Sequence, residues 1–260
     1  MKRKRIDVDT ALFPAEMRRY ADGAAVYDSS CSPEARVYFI DRDDGYYLKK
    51  AMCGTLEKEA LMDAYFHSKG MGAEVLSYLS GDADWLLTRR VSGEDCTHAQ
   101  YLEDGVRLAR LLGERLRMLH DTNASDCPVT CRMDAYFATV QKNAQKGLCD
   151  LSFVKGYGME SVQEALLCVE QNKKYLKNDT LLHGDYCLPN VILADWAFSG
   201  FIDLGNGGVG DRHVDLFWGA WTLEYNLKTD RYRDVFFEAY GKERIEPEAL
   251  RTVAAAEVFG

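Results

Sequence analysis

The sequence predicts an α+β chain in two parts. A small antiparallel sheet with one helix occupies residues 1–90, and a larger, mainly helical part occupies residues 91–260. Two observations predict this. Short runs rich in β-branched and aromatic residues recur between turn signals in the first ninety residues, whereas beyond Ser92-Gly93-Glu94 the apolar residues recur at three- and four-residue spacing. A connector at about 88–94 divides the two patterns.

Residues 24–28, 35–40 and 46–50 read as three strands, the last two joined by the turn-rich Asp41-Arg42-Asp43-Asp44-Gly45. A helix follows over 56–68, with Gly54-Thr55 as its start signal and Leu56, Ala60, Leu61 and Ala64 at helical spacing. Gly70-Met71-Gly72 ends it, and residues 75–79 and 85–88 read as two further strands. In the second part Leu102, Ala109, Leu112, Leu116 and Leu119 line one face of a long helix ending near His120. Helical periodicity also dominates 134–144 and 160–175. Two apolar pieces, 191–193 and 198–202, separated by Ala194-Asp195-Trp196, predict a hairpin with Asp203 at its exit.

Composition narrows the function. The basic start, Met1 to Arg5, leads into Ile6-Asp7-Val8-Asp9-Thr10 rather than an apolar run, so the expectation is a cytoplasmic protein without a signal peptide or membrane anchor. Eight cysteines then read as reduced thiols, and Cys127 and Cys131 have no neighbouring ligand that would make a zinc site. A net charge of −9 argues against a nucleic-acid partner. Residues 1–90 carry 14 Lys/Arg and 15 Asp/Glu, residues 91–260 carry 18 and 26, so the second part suits a cationic ligand or simply has a solvated acidic surface.

The chemistry concentrates in His183-Gly184-Asp185-Tyr186-Cys187-Leu188-Pro189-Asn190, followed by Ile202-Asp203-Leu204-Gly205. Magnesium bridging nucleotide phosphates wants hard oxygen ligands and takes one or two carboxylates from a protein. Asn190 and Asp203 supply an amide oxygen and a carboxylate. Asp185, five residues before Asn190, is placed to accept a hydrogen bond from an attacking hydroxyl, with His183 a structural member of the loop. A phosphate-binding lysine braced by a glutamate is also needed. Strand alternation leaves Lys49 and Lys50 both open, and Glu57 and Glu59 both flank the apolar face of their helix.

These blocks, with Ser199 to Gly205, Gly208-Val209-Gly210-Asp211-Arg212 and Asp215, resemble the aminoglycoside 3'-phosphotransferases, small-molecule kinases of bilobal, protein-kinase-like fold. The resemblance implies Asp185 as the catalytic residue, magnesium on Asn190 and Asp203, and ATP or GTP as phosphoryl donor. It selects Lys49 and Glu59 for the nucleotide, places Ser32 in the nucleotide loop, and lets Arg89 and Val91 in the connector meet the adenine edge through their backbone. The loop Ser29-Ser30-Cys31-Ser32-Pro33 has no glycine, which speaks against a protein kinase.

On the acceptor side the resemblance implies acidic contacts to a cationic amino sugar from Glu224 and Glu257, with Asp150 and Phe259 alongside. The match is thinner there. Only Asp150 is acidic between Cys149 and Glu160, and Trp221 stands where the family has arginine. Phe153, Tyr157 and Trp221 read either as core or as a stacking wall. The expected function is phosphorylation of an aminoglycoside hydroxyl at the 3' position, conferring antibiotic resistance. The alternatives are a kinase of the same fold acting on another hydroxylated small molecule, and an inactive kinase-like binding module, against which Lys49, Asp185, Asn190 and Asp203 all argue.

Overall fold

The computed structural model describes residues 3–260; Met1 and Lys2 of the basic start lie outside the described residues. The chain divides into two compact units. One is the chain up to His98 together with Pro189–Asn206, the other Ala99–Leu188 together with Gly207–Gly260. Residues 91–98 and 189–206 thus group with the first unit, where the sequence alone sets them in the second part.

Strands β1 (Lys4–Ile6), β2 (Ala25–Asp28), β3 (Ala35–Asp41), β4 (Tyr46–Ala51), β5 (Val75–Ser80) and β6 (Asp84–Arg89) form the main sheet of the first unit. Their order is β1-β2-β3-β4-β6-β5, and every neighbouring pair is antiparallel. The β3–β4 turn needs left-handed backbone at Asp43 (φ 52°) and Gly45 (φ 98°). A Cβ at Gly45 would also lie 2.8 Å from the Phe39 ring, so glycine answers both demands.

Each face of the sheet is covered by a helix. Ile40, Tyr46, Leu48 and Leu87 pack with Phe13, Met17 and Ala21, the last two on α1 (Ala15–Ala21). Ala51 and Leu86 pack with Leu56 and Ala60, Ala60 lying on α2 (Glu57–Ser68). The sequence pattern gives the sheet one helix. It misses α1 because seven residues, three of them charged, contribute only Met17 and Ala21 to the core. Successive side chains alternate across a strand. Leu48 and Lys50 therefore face the α1 side, where Lys50 Nζ sits 4.9 Å from the Trp85 ring centroid, and Lys49 and Ala51 face the α2 side.

The later segment of the first unit is the expected hairpin, Val191–Ala194 paired antiparallel with Ala197–Phe201. Its two-residue turn, Asp195-Trp196, has both residues at positive φ (48° and 67°), the mirror-image turn whose twist suits a hairpin. Glu94–Asp95 adds a third strand beside Val191–Ala194, which explains why residues 91–98 and 189–206 belong together.

The second unit is helical: α3 (Ala99–Leu102), α4 (Gly105–His120), α5 (Arg132–Gln145), α6 (Val162–Asn172), α7 (His213–Leu227), α8 (Arg233–Tyr240) and α9 (Pro247–Glu257). Asp104 caps α4 by accepting from Arg107 N at 3.0 Å. Ser161 caps α6 at Glu164 N, while the Glu164 carboxylate accepts from Glu160 N at 2.7 Å. α4 and α8 cross closely at Gly113, where a Cβ would meet Phe236 O at 2.4 Å. A two-stranded ribbon, Thr180–Leu182 with Gly208–Gly210, delivers the chain into the His183 loop on one side and toward α7 on the other.

Candidate active site

In the first unit three charged side chains converge. Lys49 Nζ of β4 lies 2.5 Å from Glu59 Oε1 of α2 and 2.5 Å from Asp203 Oδ1 at the hairpin exit. Packing separates the two lysines: Lys49 is on the face that α2 covers and Lys50 on the other. Glu59 points into the same space and is buried, whereas Glu57, two residues away on the helix, is exposed. Burial alone would lower the Lys49 pKa, but the Glu59 and Asp203 carboxylates outweigh it and hold the ammonium above the usual lysine range. Burial pushes Glu59 up, with Lys49 opposing and Asp203 adding to the rise. Asp63, one helical turn beyond Glu59, is raised well above its ordinary value by burial and by Glu59. One ammonium among three carboxylates stays firmly charged, while the carboxylates compete for it.

Asn190 and Asp203 meet at the open end of the hairpin. Ile202 N donates to Asn190 O at 3.1 Å, extending the Val191–Phe201 pairing by one rung, and Asp203 follows in left-handed backbone (φ 64°). That conformation is costly for a residue with a Cβ and turns the carboxylate toward Lys49. The next turn rests on α2, for a Cβ at Gly205 would lie 3.6 Å from Glu59 Cβ. Asn190 and Asp203 thus offer an amide oxygen and a half-exposed carboxylate. Among the described residues no group of three or more His, Cys, Asp and Glu could hold a metal ion. A hard cation that keeps most of its shell for water and phosphate oxygens fits the Asn190–Asp203 pair better than a closed cage would.

The serine loop between β2 and β3 is pinned at its base, where Ser30 N donates to Asp28 Oδ1 at 3.0 Å and Val37 N to Ser30 Oγ at 2.9 Å. Ser32 stands exposed at its tip, its hydroxyl holding the Glu34 carboxyl below the ordinary range. In the connector the Arg89 side chain is tied to Glu74 at 2.7 Å, and the Arg89 and Arg90 N–H groups donate to Glu74 O and Gly45 O. Val91 is half-buried, its Cγ1 3.1 Å from where a Cβ on Gly200 would sit.

In the second unit the Asp185 loop is held by a buried carboxylate. His183 N and Gly184 N donate to Asp215 Oδ2 and Oδ1, both at 2.8 Å, with Gly184 at φ 85°. Asp215 sits in the first turn of α7 and is fully buried. His120 Nε2 lies 3.1 Å from the same carboxylate, and His120 Nδ1 2.8 Å from the Tyr240 hydroxyl. Burial lowers the His120 pKa, with Asp215 opposing, which keeps the imidazole neutral. Below the loop Tyr186 OH donates to Leu112 O at 2.8 Å, and Leu188 N to Thr222 Oγ1 at 3.2 Å. Asp185, half-buried, is the loop's remaining carboxylate. On sequence alone Asp215, His120 and Tyr240 have no role, since nothing local ties Asp215 to a loop thirty residues upstream.

The expected acceptor contacts fall into three kinds. Glu224 is exposed on α7. Glu257 is buried on α9, where Tyr136 OH donates to its Oε1 at 2.7 Å. Burial pushes Glu257 up to about 7 against the hydrogen bonds of Tyr136 and Trp218 and the charge of Arg132, while Asp185 adds to the rise. Asp150 is exposed and caps a short turn through Ser152 N at 2.8 Å, and Phe259 is buried at 1% exposure, leaving its carbonyl to accept from Asn143 Nδ2 at 2.8 Å. Phe153, Tyr157 and Trp221 are half-buried, between the two readings of core and wall.

Comparison with known proteins places these parts in one lineage. Residues 33–253 match APH, the phosphotransferase enzyme family. A protein of Lactococcus lactis subsp. lactis (strain IL1403) named probable aminoglycoside 3'-phosphotransferase is 50% identical over 261 residues, spanning 100% of this chain and 99% of that protein. Among solved structures, an aminoglycoside-3'-phosphotransferase of type VIII superposes with a TM-score of 0.77 at 22% identity, covering 92% of this chain and 94% of its own. The aminoglycoside phosphotransferase APH(3'')-Id of Streptomyces rimosus, in complex with ADP and streptomycin, superposes with a TM-score of 0.73 at 20% identity, covering 97% and 99%. At those identities the superpositions establish the α+β, protein-kinase-like fold.

Proposed function

The chain belongs to the aminoglycoside 3'-phosphotransferase family of phosphotransferase enzymes, and from that premise we propose that it transfers the γ-phosphoryl group of ATP or GTP to the 3'-hydroxyl of an aminoglycoside, conferring resistance. The observation that carries the reaction is the Lys49 ammonium fixed between Glu59 and Asp203. A lysine so anchored presents its charge to the α- and β-phosphates of a nucleotide. The Lactococcus kinship over the full chain carries the acceptor.

Each group has one task. Asp185 accepts a hydrogen bond from the acceptor hydroxyl, orients it in line with the γ-phosphorus, and receives its proton as the new O–P bond forms and the bond to the leaving diphosphate breaks. Asp215 holds the Asp185 loop through the two backbone donors of His183 and Gly184. Glu59 keeps Lys49 charged and in place. Asn190 and Asp203 are the residues to hold magnesium, which when bound would neutralise charge on the phosphate oxygens. Ser32 offers its hydroxyl at the nucleotide loop, and the Arg89–Val91 connector meets the base. Exposed Glu224 contributes negative charge toward the amines of the acceptor.

The enzyme works in the cytoplasm, where nucleotide is supplied and cysteines stay reduced. Among the described residues no helix is long and apolar enough to cross a membrane. A binding module without catalysis is the weaker reading, because the ion-paired Lys49 and the clamped Asp185 loop serve no purpose in it. The test is nucleoside diphosphate release with magnesium and kanamycin or neomycin, with the product analysed for one added phosphoryl group. Turnover with a neutral sugar but with no aminoglycoside would move the acceptor to another hydroxylated metabolite.

A further inference from the structure

The outward side of α7 carries a run of aromatic rings that the reaction as described does not use. Trp218 and Trp221 lie edge to face with centroids 5.3 Å apart, and Trp221 stacks on Tyr225 at 4.9 Å with only 12° between the planes. Phe153 packs behind both tryptophans, 5.6 Å from Trp218 and 5.8 Å from Trp221. Three- and four-residue spacing puts the rings on one helix face. They are not core: Trp218, Trp221 and Phe153 are half-buried, and Tyr225 is 57% exposed.

Two further observations say what such a surface takes. The run lies on the helix that holds the Asp185 loop, since α7 carries Asp215, which accepts from His183 N and Gly184 N, and Thr222, next to Trp221, whose hydroxyl accepts from Leu188 N. And the outermost ring already takes a cation on its face, with Lys228 Nζ 4.3 Å from the Tyr225 centroid. A polyamine-like acceptor has few ionised partners nearby. Asp150 is the only acid between Cys149 and Glu160 and is engaged in capping.

We infer that Trp221 and Tyr225, backed by Trp218 and Phe153, form an aromatic subsite that holds an ammonium-bearing ring of the acceptor by cation–π and ring-face contact. It adds ring faces to the exposed Glu224 carboxylate on the same helix. The inference rests on the aminoglycoside reading above and adds to it where the positive charge is received. Aromatic faces attract amines at close range and, unlike carboxylates, also cover the C–H faces of a sugar ring. The Lys228 ammonium competes with the ligand for the Tyr225 face.

Steady-state kinetics with kanamycin varied at saturating nucleotide test it. Trp221→Leu raises the KM for kanamycin about tenfold and Tyr225→Ala about threefold, with kcat within about twofold. Trp221→Phe recovers most of the loss. Lys228→Ala acts in the opposite direction, lowering KM about twofold by uncovering the ring. The KM for nucleotide does not move in any of them. Should Trp221→Leu not fold, the exposed Tyr225 and Lys228 carry the test. Kanamycin KM values within experimental error of wild type in Tyr225→Ala and Lys228→Ala overturn the subsite while leaving the kinase reading intact, whereas a wild-type enzyme that turns over no aminoglycoside overturns the functional reading and the subsite with it.

Discussion

The two units position their key carboxylates by opposite means. In the first, Asp203 is half-exposed, sits in strained left-handed backbone, and is held by a charge, the Lys49 ammonium that Glu59 shares. In the second, the Asp185 loop is held through hydrogen bonds: two backbone N–H groups on fully buried Asp215, which is itself backed by a neutral His120 and the Tyr240 hydroxyl. Under the proposed function the first site takes phosphates and a cation, which calls for charge that can exchange partners. A loop meant to hold one carboxylate at a fixed angle needs hydrogen bonds that cannot. The first arrangement is therefore sensitive to charge, the second to the loss of any single acceptor.

Substitutions can break that contrast, and they are ordered by expected effect. Lys49→Ala removes the phosphate anchor and leaves Glu59 and Asp203 facing each other; kcat/KM for nucleotide falls about 10²- to 10³-fold in a coupled assay. Asp215→Asn keeps the shape but aims an amide donor at one of the two loop N–H groups, and it costs about 2–3 kcal/mol in urea unfolding, with a fall in kcat. If Asp215→Asn unfolds like wild type, the hydrogen-bonded clamp is not what holds the loop.

A pH effect sharpens the second unit further. Glu257 is raised from 4.5 to about 7 by burial, so the folded chain keeps a proton that the unfolded chain has lost in between. Its contribution makes stability fall as pH rises across that window and level off above it, by on the order of 3 kcal/mol. Glu257→Gln removes this dependence and leaves the variant more stable than wild type at pH 8 in thermal melts. Smallest of all is Lys50→Ala. Its side chain lies on the opposite face of β4 from Lys49 and rests on Trp85, so stability changes by less than about 1 kcal/mol and turnover is unchanged.

How much of this was legible in the sequence follows the same divide. Strands β2 to β6, α2 and the hairpin announce themselves through alternation, helical spacing and turn residues, to within one or two residues of their ends. Alternation could show that Lys49 and Lys50 face opposite ways, but not which way α2 would pack; that depends on Leu56 and Ala60 meeting Ala51 and Leu86, a contact no local pattern encodes. Glu59 is in the same position, buried with Lys49 on one side and the turn at Gly205 against its side chain. The second unit hid more. Asp215 stands in the resembling block without a role until the ribbon from Thr180 to Leu182 brings His183 and Gly184 over it. Glu257 and Phe259 read as an acidic, aromatic tail, and only the packing of α9 reveals that both are buried.

The most direct measurement is single-turnover phosphoryl transfer to kanamycin by wild type and by Asp185→Ala, with nucleotide affinity measured in parallel. The account predicts a loss of about 10²- to 10⁴-fold in the transfer rate with nucleotide binding unchanged, because Asp185 acts on the acceptor hydroxyl while the Lys49 cluster is left whole. Transfer at the wild-type rate in Asp185→Ala would contradict it.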